Sequence, residues 1–253
     1  MRAAALYDVH GNLPALEAVL HDLSDAKVDC IVVGGDVVAG PMPSETLALL
    51  QSVGIATHFI RGNAESELLR YLAGKEPGGL SARANEEARW LAQTLMPEHK
   101  NFVSLWSTTL ELEIGGLGRV LFCHATPNSD IEVFTRLTPE EKLAPIFENL
   151  TVSLVVCGHT HMQFDRRIGG MRVVNAGSVG MPFGKTGADW LLLDTDIEFR
   201  HANYDLTEAA ERIRQSNYPQ AEDFAANNLL QTPSEAQALD MLSLLEVRQA
   251  QNR

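Results

Sequence analysis

Residues 3–12 read AAALYDVHGN, a short apolar run that ends abruptly in an aspartate, a histidine and an asparagine. An apolar run of this length, bounded by polar residues, is typical of a strand buried on both faces. Residues 29–34 (DCIVVG) repeat the pattern, and the residues between the two runs favour a helix from Pro14 to Leu23. Strand, helix and strand in this order predict parallel strands joined by crossover helices.

The same alternation continues along the chain, with a third strand at residues 55–60 and another buried strand at 153–157. Residues 109–123 favour a hairpin across Gly115-Gly116. Four apolar runs between residues 163 and 202 favour a meander, and residues 218–233 favour a linker. We therefore expect one domain over residues 1–253, with a helical insertion at about 65–103, broken at Pro77-Gly78-Gly79, and a C-terminal helical tail at about 234–250.

Charge and composition limit the classes of partner. The chain carries 33 acidic and 20 basic residues, for a net charge of -13. Such a surface repels nucleic acid and anionic membranes, so we expect no extended nucleic-acid binding and no membrane partner. Cys30, Cys123 and Cys157 each lie in an apolar run, which favours buried reduced thiols. The N-terminus lacks the pattern of a signal peptide, and we expect a cytoplasmic protein. The sequence leaves open whether the chain forms an oligomer.

Polar side chains follow five of the predicted strands, at the point where each strand ends. Open α/β sheets bind ligands at this carboxyl edge. Carboxylate, imidazole and amide groups are ligands for pairs of divalent cations, and rigid strand ends hold them in place. The residues in question are Asp8, His10 and Asn12; Asp36; Arg61 and Asn63; His124; and His159 and His161.

The order D-x-H, G-D, G-N, H and G-H-x-H, from Asp8 to about Asn203, resembles the calcineurin-like metallophosphoesterase superfamily. Within it, the chain is similar to a branch of small bacterial and archaeal phosphodiesterases. The resemblance implies an α/β (α+β) fold: a four-layer αββα sandwich with two mixed β-sheets flanked by helices. It also implies that a hydroxide bridging two cations attacks the phosphorus. The implied ligands are Asp8, His10, Asp36 and His161 for one cation, and Asp36, Asn63, His124 and His159 for the other.

The identity of the cations is left open by these ligands. The resemblance favours manganese, and iron, zinc, nickel or cobalt suit the same donor atoms. The implied substrate is a small phosphate ester.

One position departs from the family pattern. In much of the superfamily, the residue after the asparagine of the third motif is a histidine that protonates the leaving group. Here that residue is Ala64, which cannot transfer a proton. Glu65 is a weak candidate for the missing acid, although an acidic residue in a first helical turn is also favoured by the helix dipole. Asn12 and Arg61 are candidates for substrate contacts, and turn or surface roles compete with that interpretation.

Three functions compete on this evidence. The leading hypothesis is a dinuclear metal-dependent phosphodiesterase. The alternatives are a phosphomonoesterase, acting on a phosphoprotein or a dinucleoside polyphosphate, and a non-catalytic metal-binding scaffold. The helical insertion is either a covering layer for the sheet or a cap that shapes the substrate cleft.

Overall fold

Within residues 1–76, 78 and 81–251, which the computed structural model describes, two five-stranded sheets form the centre of the molecule. Short apolar runs form most of these strands, as the sequence predicts. The strands are β1 (Ala3–Leu6), β2 (Cys30–Val33), β3 (Ala56–Phe59), β4 (Thr109–Ile114), β5 (Gly118–Cys123), β6 (Leu154–Cys157), β7 (Phe164–Ile168), β8 (Met171–Asn175), β9 (Ala188–Leu193) and β10 (Ile197–Ala202).

Helices connect the strands and continue beyond them. A π-helix, Ala225–Leu230, directly follows α8. The α-helices are α1 (Leu13–Ala26), α2 (Pro43–Ser52), α3 (Asn63–Leu72), α4 (Ala82–Thr94), α5 (Pro97–Ser104), α6 (Glu140–Phe147), α7 (Leu206–Arg214), α8 (Ala221–Phe224) and α9 (Glu235–Gln251).

Both sheets are mixed, as the resemblance implies. The first has the order β10-β9-β1-β2-β3, with β1, β2 and β3 parallel and β9 antiparallel to β1. The second has the order β4-β5-β6-β8-β7, with β5, β6 and β8 parallel. The meander predicted for residues 163–202 is wrong, because β7 and β8 belong to the second sheet whereas β9 and β10 belong to the first. An apolar run predicts a strand but does not identify its pairing partner.

Alternation along the central strands produces the layers, since successive strand residues face opposite sides of a sheet. Leu6 faces the core beneath α1 and α2, whereas Tyr7 faces the second sheet. In the second sheet, Phe122 faces the first sheet and Leu121 packs with α6. The order of layers is therefore helix, sheet, sheet, helix, which confirms the expected four-layer sandwich. The Tyr7 hydroxyl donates to the carbonyl oxygen of Val156 at 3.0 Å and joins the two sheets.

The helices that follow β10 pack against the sandwich. The linker predicted at residues 218–233 is wrong: α8 and the π-helix occupy this segment, and Tyr218, Phe224 and Leu229 are buried against α7. In α9, Leu239 and Leu242 are buried in a separate cluster. The predicted break at residues 77–79 lies partly outside the described residues, since only Gly78 is described.

Two further sequence expectations concern the environment of the chain. All three cysteines are buried and free, as predicted. Among the described residues, no helix combines the length and the apolar character needed to cross a bilayer.

Candidate metal centre

All seven predicted ligands gather at one edge of the two sheets. Their donor atoms form two groups, and within each group the acidic and histidine donors lie within 4.8 Å of one another. Each group takes residues from loops of both sheets. The first cluster is Asp8, His10 and His161, and the second cluster is Asp36, His124 and His159, which Asn63 joins.

The two clusters adjoin at His124. Its Nε2 lies 3.6 Å from Oδ2 of Asp36, in its own cluster, and 3.8 Å from Oδ1 of Asp8, in the first cluster. Asp36 therefore lies beside the boundary between the clusters, where the resemblance expects a bridging carboxylate.

Backbone carbonyls orient the rings of the first cluster. Nδ1 of His10 lies 2.9 Å from the carbonyl oxygen of Ala39, and Nδ1 of His161 lies 3.0 Å from that of Met181. A carbonyl only accepts hydrogen bonds, so each Nδ1 carries a hydrogen and each neutral ring presents the lone pair of Nε2. Metal-binding histidines are commonly oriented in this way, by a hydrogen bond from the ring nitrogen that does not bind the metal.

The donor atoms of the first cluster fit a cation. Nε2 of His10 and Nε2 of His161 are 3.1 Å apart, and in neutral rings no hydrogen lies between them. Among the described residues, Oδ1 of Asp8 is buried with no hydrogen-bond partner, 3.4 Å from Nε2 of His161 and 3.9 Å from Nε2 of His10. Three converging electron pairs repel one another, and a divalent ion would satisfy all three.

The second cluster fits a cation in the same way. Nδ1 of His124 lies 2.9 Å from the carbonyl oxygen of Gly34, which directs its Nε2 inward. The Asn63 amide atom that points inward lies 3.0 Å from Nδ1 of His159, 3.1 Å from Nε2 of His124 and 3.2 Å from Oδ2 of Asp36. When His124 is neutral, an inward oxygen faces only acceptors and needs a cation, whereas the rotated amide would donate to the same atoms. The amide can thus serve both as a ligand and as a hydrogen-bond donor.

The charges of the second cluster interact strongly. Burial opposes ionisation of Asp36, but the neighbouring His124 outweighs it and lowers the pKa of this carboxyl. Burial also opposes protonation of His124, yet Asp36 and Asp8 raise its pKa to about 10. Burial, and then the charge of His124, lower the pKa of His159 to about 4. A cation entering this cluster must displace the proton of His124.

The backbone of these loops is strained at the predicted ligands themselves. A positive φ is uncommon for residues other than glycine and costs roughly 1–3 kcal/mol, with histidine and aspartate tolerating it best. Strain of this kind concentrates at functional sites. Among the described non-glycine residues, the positive φ angles are those of Asp8 (53°), His10 (51°), Asp36 (49°), His159 (67°), His161 (55°) and Lys27 (50°), so five of six belong to predicted ligands.

Two motif glycines provide space. A Cβ atom at Gly62 would lie 2.2 Å from Oδ1 of Asp36, and one at Gly158 would lie 2.4 Å from Oδ2 of Asp8. Neither glycine has a positive φ. They allow close approach of a neighbouring ligand, while the ligands themselves make the sharp turns.

Glu65 is a buried anchor. Its carboxylate accepts hydrogen bonds from four backbone N–H groups: Asp36 at 2.9 Å, Val37 at 2.8 Å, Val38 at 3.1 Å and Gly62 at 2.8 Å. Burial and the charge of Asp36 raise its pKa to about 6, against the effect of these donors. The side chain has no exposed surface from which to reach a substrate. The structure therefore contradicts the candidate role of Glu65 as the general acid and assigns it to holding the loops after β2 and β3 together.

The two candidate substrate contacts differ. Asn12 is fully buried; its Oδ1 accepts from the N–H of Ala15 at the start of α1, and its Nδ2 donates to the carbonyl oxygen of Gly180 at 2.8 Å. These bonds favour a turn-forming role. Arg61 lines a polar pocket beside His124, and its buried Nε has no hydrogen-bond partner among the described residues. Arg61 therefore remains a candidate for contacting an anion.

A cavity of about 210 Å³ opens beside the clusters. One wall is the edge of the two sheets that carries the seven predicted ligands, here called the metal edge. The other wall is formed by α3 and α4, within the predicted insertion. The lining residues are His10, Asp36, Ala39, Asn63, Ala64, Glu67, Gly78, Ala84, Glu87, Ala88, Leu91 and Ile131. Our sequence reasoning missed Glu87, because no motif surrounds it and its neighbours are brought together only by folding.

The chain is similar to known proteins. The pattern of the calcineurin-like phosphoesterase superfamily domain matches residues 1–198. An uncharacterized protein of Methanocaldococcus jannaschii is 27% identical over 238 residues, which are 86% of this chain and 93% of that protein. Phosphodiesterase YfcE of Escherichia coli K12 is 25% identical over 199 residues, 75% of this chain and 85% of YfcE.

The fold is also found in a solved structure. A metallophosphoesterase from Sphaerobacter thermophilus superposes with a TM-score of 0.68 at 24% identity, covering 90% of this chain and 99% of that one. The match to the family pattern extends over most of the chain and includes all seven predicted ligands. The protein therefore belongs to the calcineurin-like phosphoesterase superfamily.

Proposed function

We propose that this protein is a dinuclear metal-dependent phosphodiesterase that hydrolyses a small phosphate ester in the cytoplasm. The observation that carries the proposal is the pair of adjoining clusters of carboxylate, imidazole and amide donors, in which the buried Oδ1 of Asp8 has no hydrogen-bond partner among the described residues. The family match and the phosphodiesterase name of a relative support hydrolysis of a phosphate ester. Manganese is the expected cation, and iron, zinc, nickel or cobalt would suit the same donors.

Residues of both clusters would hold the cations. Asp8, His10 and His161 would bind one, and Asn63, His124 and His159 would bind the other, with Asp36 shared between them. Two bound cations would lower the pKa of a water between them and so supply a hydroxide nucleophile at neutral pH. The two carboxylates and one hydroxide leave one positive charge uncompensated at the site, which suits a phosphodiester monoanion.

Side chains around the two clusters would position the substrate. The cavity beside Ala64 would receive the organic group of the ester, since alanine and leucine side chains form much of its wall. The positive charge of Arg61 near His124 favours contact with a phosphate oxygen. Our proposal thus places the scissile bond between the metal edge and α4.

Hydrolysis of bis(p-nitrophenyl) phosphate tests the function. Protein treated with a chelator is expected to be inactive, to regain activity with manganese and to hold two ions per chain by elemental analysis. Asp36→Asn should lose activity and at least one ion because it removes a charged ligand shared by both cations. Asp25→Asn, at an exposed position of α1, is the matched control and should retain both. Activity unaffected by chelation and by Asp36→Asn would refute the proposal.

The same assay separates the alternatives. Turnover of p-nitrophenyl phosphate far above that of the diester would favour the phosphomonoesterase. Two tightly held ions, with no activity on a broad panel of phosphate esters, would favour the non-catalytic scaffold.

A further inference from the structure

Hydrolysis of a phosphodiester leaves an oxygen that needs a proton. When the P–O bond breaks, the electron pair stays on the departing oxygen, and an alkoxide of high basicity is a poor leaving group. A general acid that supplies the proton contributes roughly 10²–10⁴ in rate. Ala64 cannot serve, and Glu65 is buried in its backbone anchor. A side chain that supplies this proton must come from another part of the cavity.

On α4, the wall opposite the metal edge presents one carboxyl group, that of Glu87. Ala84, Glu87, Ala88 and Leu91 of α4 all line the cavity, as expected for residues three and four apart on one helical face. The alanines on either side of Glu87 are too small to cover it. Its half-buried carboxyl group therefore lines the same cavity as Ala64, the position at which the family histidine is missing.

A neighbouring phenol orients the Glu87 carboxyl group. The Tyr218 hydroxyl donates to Oε1 of Glu87 at 2.5 Å. The Tyr218 ring in turn packs edge-on against Trp90, with 5.2 Å between ring centroids. Because Oε1 accepts this bond, the proton of the neutral acid belongs on Oε2. The carboxyl group is thus held by Tyr218, which is not among the residues that line the cavity.

The surroundings of Glu87 favour a proton donor near neutral pH. Burial raises the pKa of Glu87 to about 7, with the bond from Tyr218 and the charge of Arg83 lowering it and the charge of Asp36 raising it. Arg83 is itself paired with Asp223 on α8. His10 and Glu67 are the other titratable groups lining the cavity besides Asp36. An acid with a pKa near the working pH is both protonated and able to transfer its proton.

We propose that Glu87 is the general acid that protonates the leaving oxygen, in the place of the missing histidine. This inference rests on the proposed phosphodiesterase function. A hydroxide oxygen forms a bond to phosphorus, the bond to the ester oxygen breaks, and that oxygen takes the proton from Oε2 of Glu87. The products are an alcohol and a phosphomonoester, and the Glu87 carboxylate regains a proton from solvent water.

The test compares two leaving groups. Glu87→Gln should slow hydrolysis of methyl p-nitrophenyl phosphate little, because nitrophenolate leaves without a proton. It should slow hydrolysis of a dialkyl phosphate by roughly 10²–10⁴. Glu86→Gln, an exposed neighbour on the same helix, is the matched control and should preserve the ratio of the two rates. Both variants should bind as much manganese as the parent protein.

A second measurement does not depend on activity. In metal-free protein labelled with ¹³C-glutamate, the Glu87 carboxyl signal, identified by its loss in Glu87→Gln, should titrate near pH 7. Tyr218→Phe removes a donor to the carboxylate and should move this titration to higher pH.

The outcomes separate the two proposals. A parent protein that hydrolyses neither diester contradicts the phosphodiesterase itself. If the parent is active, equal slowing of both substrates by Glu87→Gln, or no slowing of either, overturns the role of Glu87. A Glu87 signal that titrates at its ordinary value, near pH 4.5, also overturns it.

Discussion

The two walls of the cavity are built on different principles. The metal edge is made of loops held in strained conformations by buried polar contacts, with five ligands at positive φ and the Glu65 carboxylate bonded to four N–H groups. The opposite wall includes one face of a regular helix, α4, on which Glu87 accepts a hydrogen bond from Tyr218. In our proposal, the metal ligands occupy the strained edge, while the proton donor occupies a regular helix.

The largest effect should follow from breaking the anchor of the metal edge. Glu65→Ala leaves four buried N–H groups without their acceptor, each costing about 1–3 kcal/mol. We expect the free energy of unfolding to fall by at least about 3 kcal/mol and metal binding to be lost. Denaturant titration and elemental analysis measure the two effects. Glu45→Ala is a matched control, since Glu45 is also the third residue of its helix but is exposed, and it should cost less than about 1 kcal/mol. Equal losses would mean that Glu65 only stabilises its helix.

A smaller effect should follow from filling the space at Gly62. The added Cβ of Gly62→Ala would lie 2.2 Å from Oδ1 of Asp36 and would push this carboxylate away. Since displaced or disoriented ligands cost metal affinity, we expect manganese to bind roughly 10–100-fold more weakly. Calorimetric titration gives the affinity. Gly115→Ala, whose Cβ would meet nothing closer than 3.4 Å, is the control. Unchanged affinity in Gly62→Ala would show that the metal edge accommodates the added Cβ without displacing a ligand.

The smallest effect concerns the helical wall and pH. The pKa of Glu87 is about 7 in the folded protein, against an ordinary value of 4.5. A raised pKa stabilises the folded state below pH 4.5, and this contribution is lost as the pH rises through 7. Glu87→Gln has no such dependence. The melting temperature of metal-free Glu87→Gln minus that of the parent should therefore increase between pH 4.5 and 7. A constant difference would contradict the raised pKa.

The metal edge was largely predictable because its signal is local. Asp8, His10 and the other ligands directly follow apolar strands, and parallel strands bring their carboxyl ends to one edge. The conformation of these residues was not predictable in the same way. The structure places positive φ angles on the motif glycines Gly11 and Gly35 and also on the ligands, and it uses Gly62 for space.

Other features depend on contacts between distant parts of the chain. Glu65 bonds to N–H groups 27 to 29 residues away, and Tyr218 reaches Glu87 across 131 residues. An acidic residue in a helix has the same local pattern whether it is exposed, like Glu45, or buried, like Glu65. Strand pairing also depends on distant contacts. The apolar runs of β9 and β10 predicted strands, but they did not show that these strands belong to the first sheet.

Both clusters take donors from loops of the two sheets, and this has a mechanical consequence. His161 and Asp8 come from opposite layers of the sandwich, as do His124 and Asp36. Each bound ion would therefore act as a cross-link between the layers, and the layers could not separate without breaking coordination bonds. Binding only to the assembled sandwich would add about 2.7 kcal/mol of stability at a free ion concentration 100 times the dissociation constant. Slower amide hydrogen exchange in β1 and β6 together, on addition of manganese, would be the signature of that linkage.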